Sequence, residues 1–97
     1  MLFVIHCLDV PDQNRRVELY PAHRAYLDSH QDKVLAGGPL TDDDGETVVG
    51  STLIVECDDR AAIDAWLAAE PFYAAGVYAE VRVLRWQQRR WRHAVDD

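Results

Sequence analysis

The chain has few of the residues that phosphate loops, metal centres and membrane helices require. Its five glycines form no glycine-rich nucleotide-binding loop, and its two cysteines form no Cys-x-x-Cys pair. No apolar run approaches the roughly 20 residues that a membrane helix needs. A glycine–serine step occurs at Gly50-Ser51, but the second glycine of a nucleophile elbow is missing. The sequence therefore indicates no membrane protein, no nucleotide-binding enzyme and no elbow-type hydrolase.

Positive charge is also scarce, because 17 acidic residues outnumber 10 basic ones and give a net charge of −7. Such a balance argues against nucleic acid as a partner, since phosphate contact needs clustered positive charge. The N-terminus starts with the strand-like Leu2-Phe3-Val4-Ile5 and has no basic leader, which predicts a cytoplasmic protein. Cys7 and Cys57 lie in apolar runs and are expected to be free, buried thiols.

The length of 97 residues and their periodicity predict one α+β domain. Four strands are expected at residues 2–8, 33–40, 48–57 and 77–83. A helix is expected from Asn14 to about Gln31, with Pro21 either near its start or at a kink. A second helix is capped by Asp58 or Asp59 and stopped by Pro71. The order βαββαβ is typical of a ferredoxin-like fold with an antiparallel sheet.

One face of such a sheet carries both helices, and the other is left open. In the third strand Thr52, Ile54 and Glu56 share that open face, which is therefore mixed in character. A second copy of the chain usually covers a face of this kind, so we expect a homodimer.

The C-terminal segment differs from the rest of the chain in charge. We assign residues 1–86 to the domain and residues 87–97 to an extension. The stretch from Arg85 to Arg92 interleaves arginine with tryptophan, as a nucleic-acid contact can. The preferred interpretation is that Trp86 and Trp91 pack on the acidic body or on a partner subunit.

His23 is the residue best suited to chemistry, because it lies on the apolar face of the first helix beside Leu19 and Leu27. A histidine in a half-apolar site, held by a carboxylate, can donate or accept a proton near neutral pH. Asp9 and Glu70 are the candidate carboxylates. The alternative is a histidine that is hydrogen-bonded and only structural. His30 lies seven residues away, too far for both histidines to bind one metal ion, so no metal or other cofactor is expected.

Four motifs resemble those of the YciI-like (YCII-related) family of small α+β proteins. They are Tyr20-Pro21-Ala22-His23, Gly37-Gly38-Pro39, Gly50-Ser51-Thr52 and the stretch from Glu70-Pro71-Phe72 to Gly76-Val77-Tyr78. Two positions depart from the family pattern. Glu70 stands in place of the usual aspartate, and Tyr20 in place of an arginine.

The resemblance implies a dimeric α+β barrel with a His–Asp pair in a pocket of each subunit, similar to muconolactone-isomerase-like enzymes. One branch of the family removes chloride from chlorinated hydroxyquinones. By position His23 matches the family histidine and Asp9 best matches the aspartate. The motifs also suggest substrate contacts at Gly38, Pro39, Ser51, Glu70 and Phe72.

The function expected from this resemblance is general acid–base proton transfer or elimination on a small, aromatic or lactone-like molecule. The alternative is a non-catalytic module that binds a small ligand in the same pocket.

Overall fold

The computed structural model describes residues 1–92. Four strands form one antiparallel sheet, and the helices pack on one of its faces. The elements are β1 (Leu2–Asp9), α1 (Asn14–Ser29), β2 (Val34–Thr41), β3 (Val48–Glu56), α2 (Arg60–Ala68), α3 (Pro71–Ala74) and β4 (Tyr78–Trp86).

The strand order in the sheet is β2-β3-β1-β4, so β1 and β3 are central and every neighbouring pair is antiparallel. This is the order of a ferredoxin-like sheet, and it confirms the predicted fold class. It also places the carboxyl end of β1 beside the start of β3, with Cys7 opposite Ser51. That corner of the sheet forms one side of the candidate site.

The core lies between the sheet and α2. Alternate residues of β1 point toward the helices, and Phe3, Ile5 and Cys7 are almost completely buried. The inward residues of β3 and the apolar stripe of α2 complete this core: Leu53, Val55, Ile63, Trp66 and Leu67. Each large apolar side chain buried here contributes about 1.5–3 kcal/mol to folding.

Helix α2 follows its predicted signals. The Asp59 side chain accepts a hydrogen bond from the Ala62 backbone N–H at 2.8 Å and caps the helix. Pro71 does prevent the helix from continuing, but it also begins the short helix α3, which the sequence analysis did not predict. Proline suits the first position of a helix because its missing N–H is not needed there.

Pro21 lies inside α1, which runs without interruption from Asn14 to Ser29. Of the two alternatives for this proline, a start near Tyr20 is excluded. The Asp12 side chain accepts a hydrogen bond from the Asn14 backbone N–H at 2.9 Å and supports the earlier start. The helix therefore keeps Arg16 and His23 on one continuous scaffold.

Strict alternation along β4 would place Tyr78 with Glu80 and Arg82 on the polar face of the sheet. Instead the register with β1 shifts between Leu8 and Asp9, so that Leu8 pairs with Glu80 but Asp9 pairs with Tyr78, and Tyr78 turns toward the helices. The Tyr78 ring meets Phe72 edge-on at a centroid distance of 6.1 Å. Alternation therefore gives the wrong face for Tyr78, because it does not anticipate an inserted residue.

The two tryptophans of the C-terminal segment have different surroundings. Trp86 is the last residue of β4 and is half-buried, whereas Trp91 is 69% exposed. Packing of Trp91 on the body of its own chain is therefore not observed, and its packing on a partner stays a prediction. Residues 93–97 lie outside the described residues. Within residues 1–92, no helix has the length and apolar character needed to cross a membrane.

Candidate functional site

His23 lies on the sheet-facing side of α1 and is 8% exposed. Its Nδ1 atom contacts Oε1 of Glu70 in a very short hydrogen bond. The imidazole also stacks on Phe72, with the ring centroids 3.8 Å apart and the planes 8° from parallel. One face and one nitrogen of the ring are thus held in place, which leaves Nε2 as the nitrogen available for chemistry.

Glu70 is completely buried, a position that a carboxylate tolerates only when it is well paired. It is the N-cap of α3, and its two oxygens accept hydrogen bonds from the backbone N–H groups of Phe72 at 3.1 Å and Tyr73 at 3.0 Å. Pro71 between them sets the backbone angle for this cap. The cap, together with His23, fixes the direction of the carboxylate.

Asp9 has a different partner from the one expected. Arg16 binds it through both ends of its guanidinium, with Nε donating to Oδ2 at 2.6 Å and Nη2 donating to Oδ1 at 2.8 Å. Gln13 Nε2 also donates to Oδ2, at 3.1 Å. The Asp9 side chain is only 2% exposed, so Arg16 compensates its charge in the interior.

The structure thus decides between the two carboxylates considered for His23. Glu70, not the preferred Asp9, is its hydrogen-bond partner. The reason is that α3 turns Glu70 inward beneath α1, while Arg16, two helical turns before His23, occupies Asp9. In the sequence, Glu70 lies at the end of the predicted second helix, and nothing there indicated that α3 would turn its side chain inward.

Arg16 is a further candidate site residue, and the sequence did not single it out. Besides binding Asp9, its Nη2 donates to Ser51 Oγ at 2.8 Å, and its guanidinium carbon lies 4.7 Å from the centre of the Phe72 ring. Phe72 therefore contacts both Arg16 and His23. The sequence contained one signal for Arg16, which is that it lies seven residues before His23. Residues seven apart on a helix share a face.

Gly76 closes the turn that brings α3 and β4 together. Its φ of +74° is a conformation that favours glycine, and it ends α3 directly before Val77. Arg15 Nη1 donates to the neighbouring Ala75 carbonyl at 2.6 Å and ties this turn to α1. Gly76 thus fixes the turn that positions Glu70, Phe72 and Tyr78 against α1.

A cleft of about 570 Å³ opens between α1 and the β2–β3 hairpin. Three kinds of group line it: polar or charged side chains, apolar side chains and the glycines of β2. Its lining residues include Arg16, His23, Ser51, Tyr20, Leu27, Gly38, Pro39, Val48 and Leu53. Of the residues suggested as substrate contacts, Gly38, Pro39 and Ser51 face this cleft. Glu70 and Phe72 lie behind His23, and Asp9 lies behind Arg16.

Two further ionisable groups are buried under the site. Burial raises the pKa of the Cys7 thiol to about 12, and the negative charges of Glu70 and Asp9 act in the same direction. Burial also raises the pKa of Tyr78, with a smaller contribution from Glu70. Both groups therefore stay protonated at neutral pH. Cys7 and Cys57 are both free and buried, as expected.

The described part of the chain contains no cluster of three or more His, Cys, Asp or Glu side chains able to hold a metal ion. The inner part of the cleft offers the imidazole of His23, the guanidinium of Arg16 and the hydroxyl of Ser51, and the more exposed Tyr20, Arg24 and Asp28 also line it. These groups can transfer a proton and donate hydrogen bonds to an oxygen atom.

Comparisons with known proteins agree on the type of domain. Residues 1–87 match the model of the YCII-related domain. The chain is 38% identical over 91 residues to protein YciI of Escherichia coli, covering 86% of this chain and 93% of that protein. It is 33% identical over 91 residues to an uncharacterised protein of Haemophilus influenzae.

A solved structure with a similar fold carries a named activity. It is the 5-chloro-2-hydroxyhydroquinone dehydrochlorinase TftG from Burkholderia phenoliruptrix, in complex with 2,5-dihydroxybenzoquinone. The two chains superpose with a TM-score of 0.80 at 35% identity, covering 90% of this chain and 94% of the dehydrochlorinase.

Proposed function

Because the chain belongs to the YCII-related family, we propose that it is an enzyme that moves a proton on a small molecule bound between α1 and the β2–β3 hairpin. The observation that carries the proposal is the contact between His23 Nδ1 and the fully buried Glu70. In this proposal His23 is the proton carrier and Glu70 is its positioning residue.

The chemistry follows from the two nitrogens of the imidazole. When Nδ1–H donates to Glu70, Nε2 has its lone pair free on the side of the cleft. Nε2 can then accept a proton from the substrate, and the nearby carboxylate stabilises the imidazolium that forms. The same proton can be returned elsewhere on the substrate in an isomerisation, or released to water.

In an elimination, the electron pair of the broken C–H or O–H bond forms a new double bond, and chloride leaves with the electrons of the C–Cl bond. The proton removed is the one that His23 accepts, so no oxidant or reductant is required. The dehydrochlorinase activity of the structural neighbour supports this reaction class, and its bound dihydroxybenzoquinone supports a small-ring substrate.

The other predicted site residues have different roles in this proposal. Ser51, Gly38 and Pro39 line the cleft and contact the substrate. Phe72 supports the His23 ring from behind. Asp9 is a positioning residue for Arg16 and not for His23.

A panel of chlorinated hydroxyquinones and lactones tests this function, with chloride release and ultraviolet absorbance as readouts. Wild type is expected to convert at least one compound, and His23→Gln is expected to be inactive on it. The mostly apolar cleft also suits a protein that only binds its ligand. Saturable thermal stabilisation by a panel compound, without turnover, would favour that non-catalytic module instead.

We also propose that the enzyme is a cytoplasmic homodimer formed through the open face of the sheet. On that face Val4, Ile54 and Leu84 are adjacent in register, and Leu84 is 46% exposed. A face of this kind is normally covered in a stable protein. Light scattering should give twice the 11.0 kDa chain mass at micromolar concentration, whereas a monomer would contradict the proposal.

The segment 87–92 is proposed to lie against the partner subunit. Trp91, exposed on its own chain, is expected to show blue-shifted fluorescence in a variant that lacks Trp66 and Trp86. Emission like that of free indole would mean that this segment makes no such contact.

A further inference from the structure

Arg16 holds a distinctive position among the arginines of the chain because its guanidinium is fixed from several directions. Its side chain is 12% exposed, whereas the arginines paired on helix surfaces, Arg24 and Arg60, are 69% and 58% exposed. Asp9, Ser51 and Phe72 all contact it. A buried arginine that lines a cleft is costly to keep in place unless it is well compensated.

The hydrogen bonds of Arg16 leave part of its guanidinium unused. Nε–H and one N–H of Nη2 are donated to Asp9, and Nη2 also donates to Ser51. A guanidinium has five N–H donors in a rigid plane. Within residues 1–92, the two N–H groups of Nη1 have no hydrogen-bond acceptor, although Arg16 lines the cleft. The unused donors are therefore held in a fixed direction.

Arg16 and His23 both contact Phe72. The His23 and Phe72 ring centroids are 3.8 Å apart, and the Arg16 guanidinium carbon lies 4.7 Å from the Phe72 centroid. Arg16 and His23 also line the same cleft, so one small planar molecule bound there can contact both side chains. The remaining cleft walls supply apolar surface from Val17, Leu27 and Leu53.

From this geometry we infer that Arg16 Nη1, together with the Ser51 hydroxyl, forms a subsite for an anionic oxygen on the ring of the substrate. The ligand class is a small planar molecule that carries an ionised hydroxyl or a carboxylate. Such an oxygen is a strong acceptor for guanidinium N–H donors. Asp9 offsets part of the positive charge, so the subsite recognises the oxygen mainly through directed hydrogen bonds. This inference rests on the proposed function in placing the substrate in the same cleft as His23.

Binding of matched anionic and neutral ligands tests the subsite by isothermal titration calorimetry at neutral pH. One pair is 2,5-dihydroxybenzoquinone, whose hydroxyls are ionised, and its neutral dimethyl ether. The second pair is 2,5-dihydroxybenzoate and its amide. Wild type is expected to prefer the anion by about tenfold or more in at least one pair, equivalent to about 1.4 kcal/mol. The pair that discriminates identifies whether the oxygen belongs to a hydroxyl or a carboxylate.

The variants remove Arg16 without leaving a buried charge behind. Asp9→Asn combined with Arg16→Gln is expected to reduce the preference to about threefold or less. Arg16→Lys, a second variant that keeps a cation opposite Asp9, should also lose most of it because lysine lacks the fork. Arg60→Gln removes the same charge from an exposed position on α2 and is expected to retain the full preference.

The inference is wrong if wild type binds neither anion, shows no preference, or keeps its preference in both Arg16 variants. Failure of the proposed function is a separate result. Absence of turnover together with an Arg16-dependent anion preference would refute the enzyme and leave the subsite intact. Turnover that depends on His23, without any anion preference, would support the enzyme and refute the subsite.

Discussion

Two side chains that lie seven residues apart on α1 each bind a carboxylate, and the two binding groups differ in their chemistry. Arg16 binds Asp9 through a guanidinium, which keeps its proton at every accessible pH, and we call these two residues the permanent pair. His23 binds Glu70 through an imidazole, whose second nitrogen can accept and release a proton, and we call these two residues the titratable pair. Phe72 contacts both Arg16 and His23. The comparison suggests a division of labour in which Arg16 positions the substrate and His23 reacts with it.

The largest expected effect is on stability and concerns the permanent pair. Arg16→Gln should lower the free energy of unfolding by about 3–5 kcal/mol, because it leaves the Asp9 carboxylate buried without its cation. Urea denaturation measures this loss. Adding Asp9→Asn to the same chain should recover part of it. An equal loss in the single and double variants would mean that the ion pair is not the cause.

The second effect is on catalysis and concerns the titratable pair. His23→Gln should lower kcat by about a hundredfold or more, since the amide cannot accept the proton. Steady-state kinetics on any substrate found by the panel measures this change. Arg16→Lys is the matched comparison, and it should mainly raise KM by weakening binding. A loss of kcat in Arg16→Lys that equals the loss in His23→Gln would contradict the separate roles proposed for Arg16 and His23.

The third effect separates the two carboxylates. Glu70→Gln should change the tautomer of His23, visible in the ¹⁵N shifts of the imidazole, and should lower the rate by about tenfold. Asp9→Asn should leave these shifts unchanged because Asp9 contacts Arg16. Shifts that respond to Asp9→Asn and not to Glu70→Gln would restore Asp9 as the partner of His23.

The smallest expected effect is at alkaline pH and involves Cys7, which lies beneath both pairs. Its pKa rises from the usual 9.0 to about 12 in the folded chain, chiefly through burial. The protonated thiol is therefore favoured by folding, and stability falls as pH increases through the window from 9.0 to 12. By pH 10 the loss should be about 1 kcal/mol.

Denaturation at pH 8 and pH 10 measures that loss, with Cys7→Ala as the control that should reduce it. Glu70 raises the pKa of Cys7 more than Asp9 does. The loss should therefore shrink more in Glu70→Gln than in Asp9→Asn. The opposite order would show that Asp9 is electrostatically closer to the thiol than the structure indicates.

Much of the fold could be predicted from local patterns. The β-branched runs, the Asp59 cap and the stop at Pro71 are local signals, and the structure confirms each of them. The short helix α3 and the bulge opposite Tyr78 could not be predicted in this way. The bulge depends on how β4 pairs with β1, which is a non-local property. Helix α3 was missed because Pro71 was interpreted only as the end of α2, although proline also suits the first position of a helix.

The same distinction between local signals and non-local contacts applies to the candidate site. The sequence by itself determined that His23 faces the interior, because helical periodicity places it beside Leu19 and Leu27. It also determined the two carboxylates that could pair with it. Only the tertiary structure decided the pairing, since Glu70 lies 47 residues from His23 and Asp9 competes for partners in the same interior. Buried charges must be compensated individually. Arg16 compensates Asp9, and so Glu70 is left to His23.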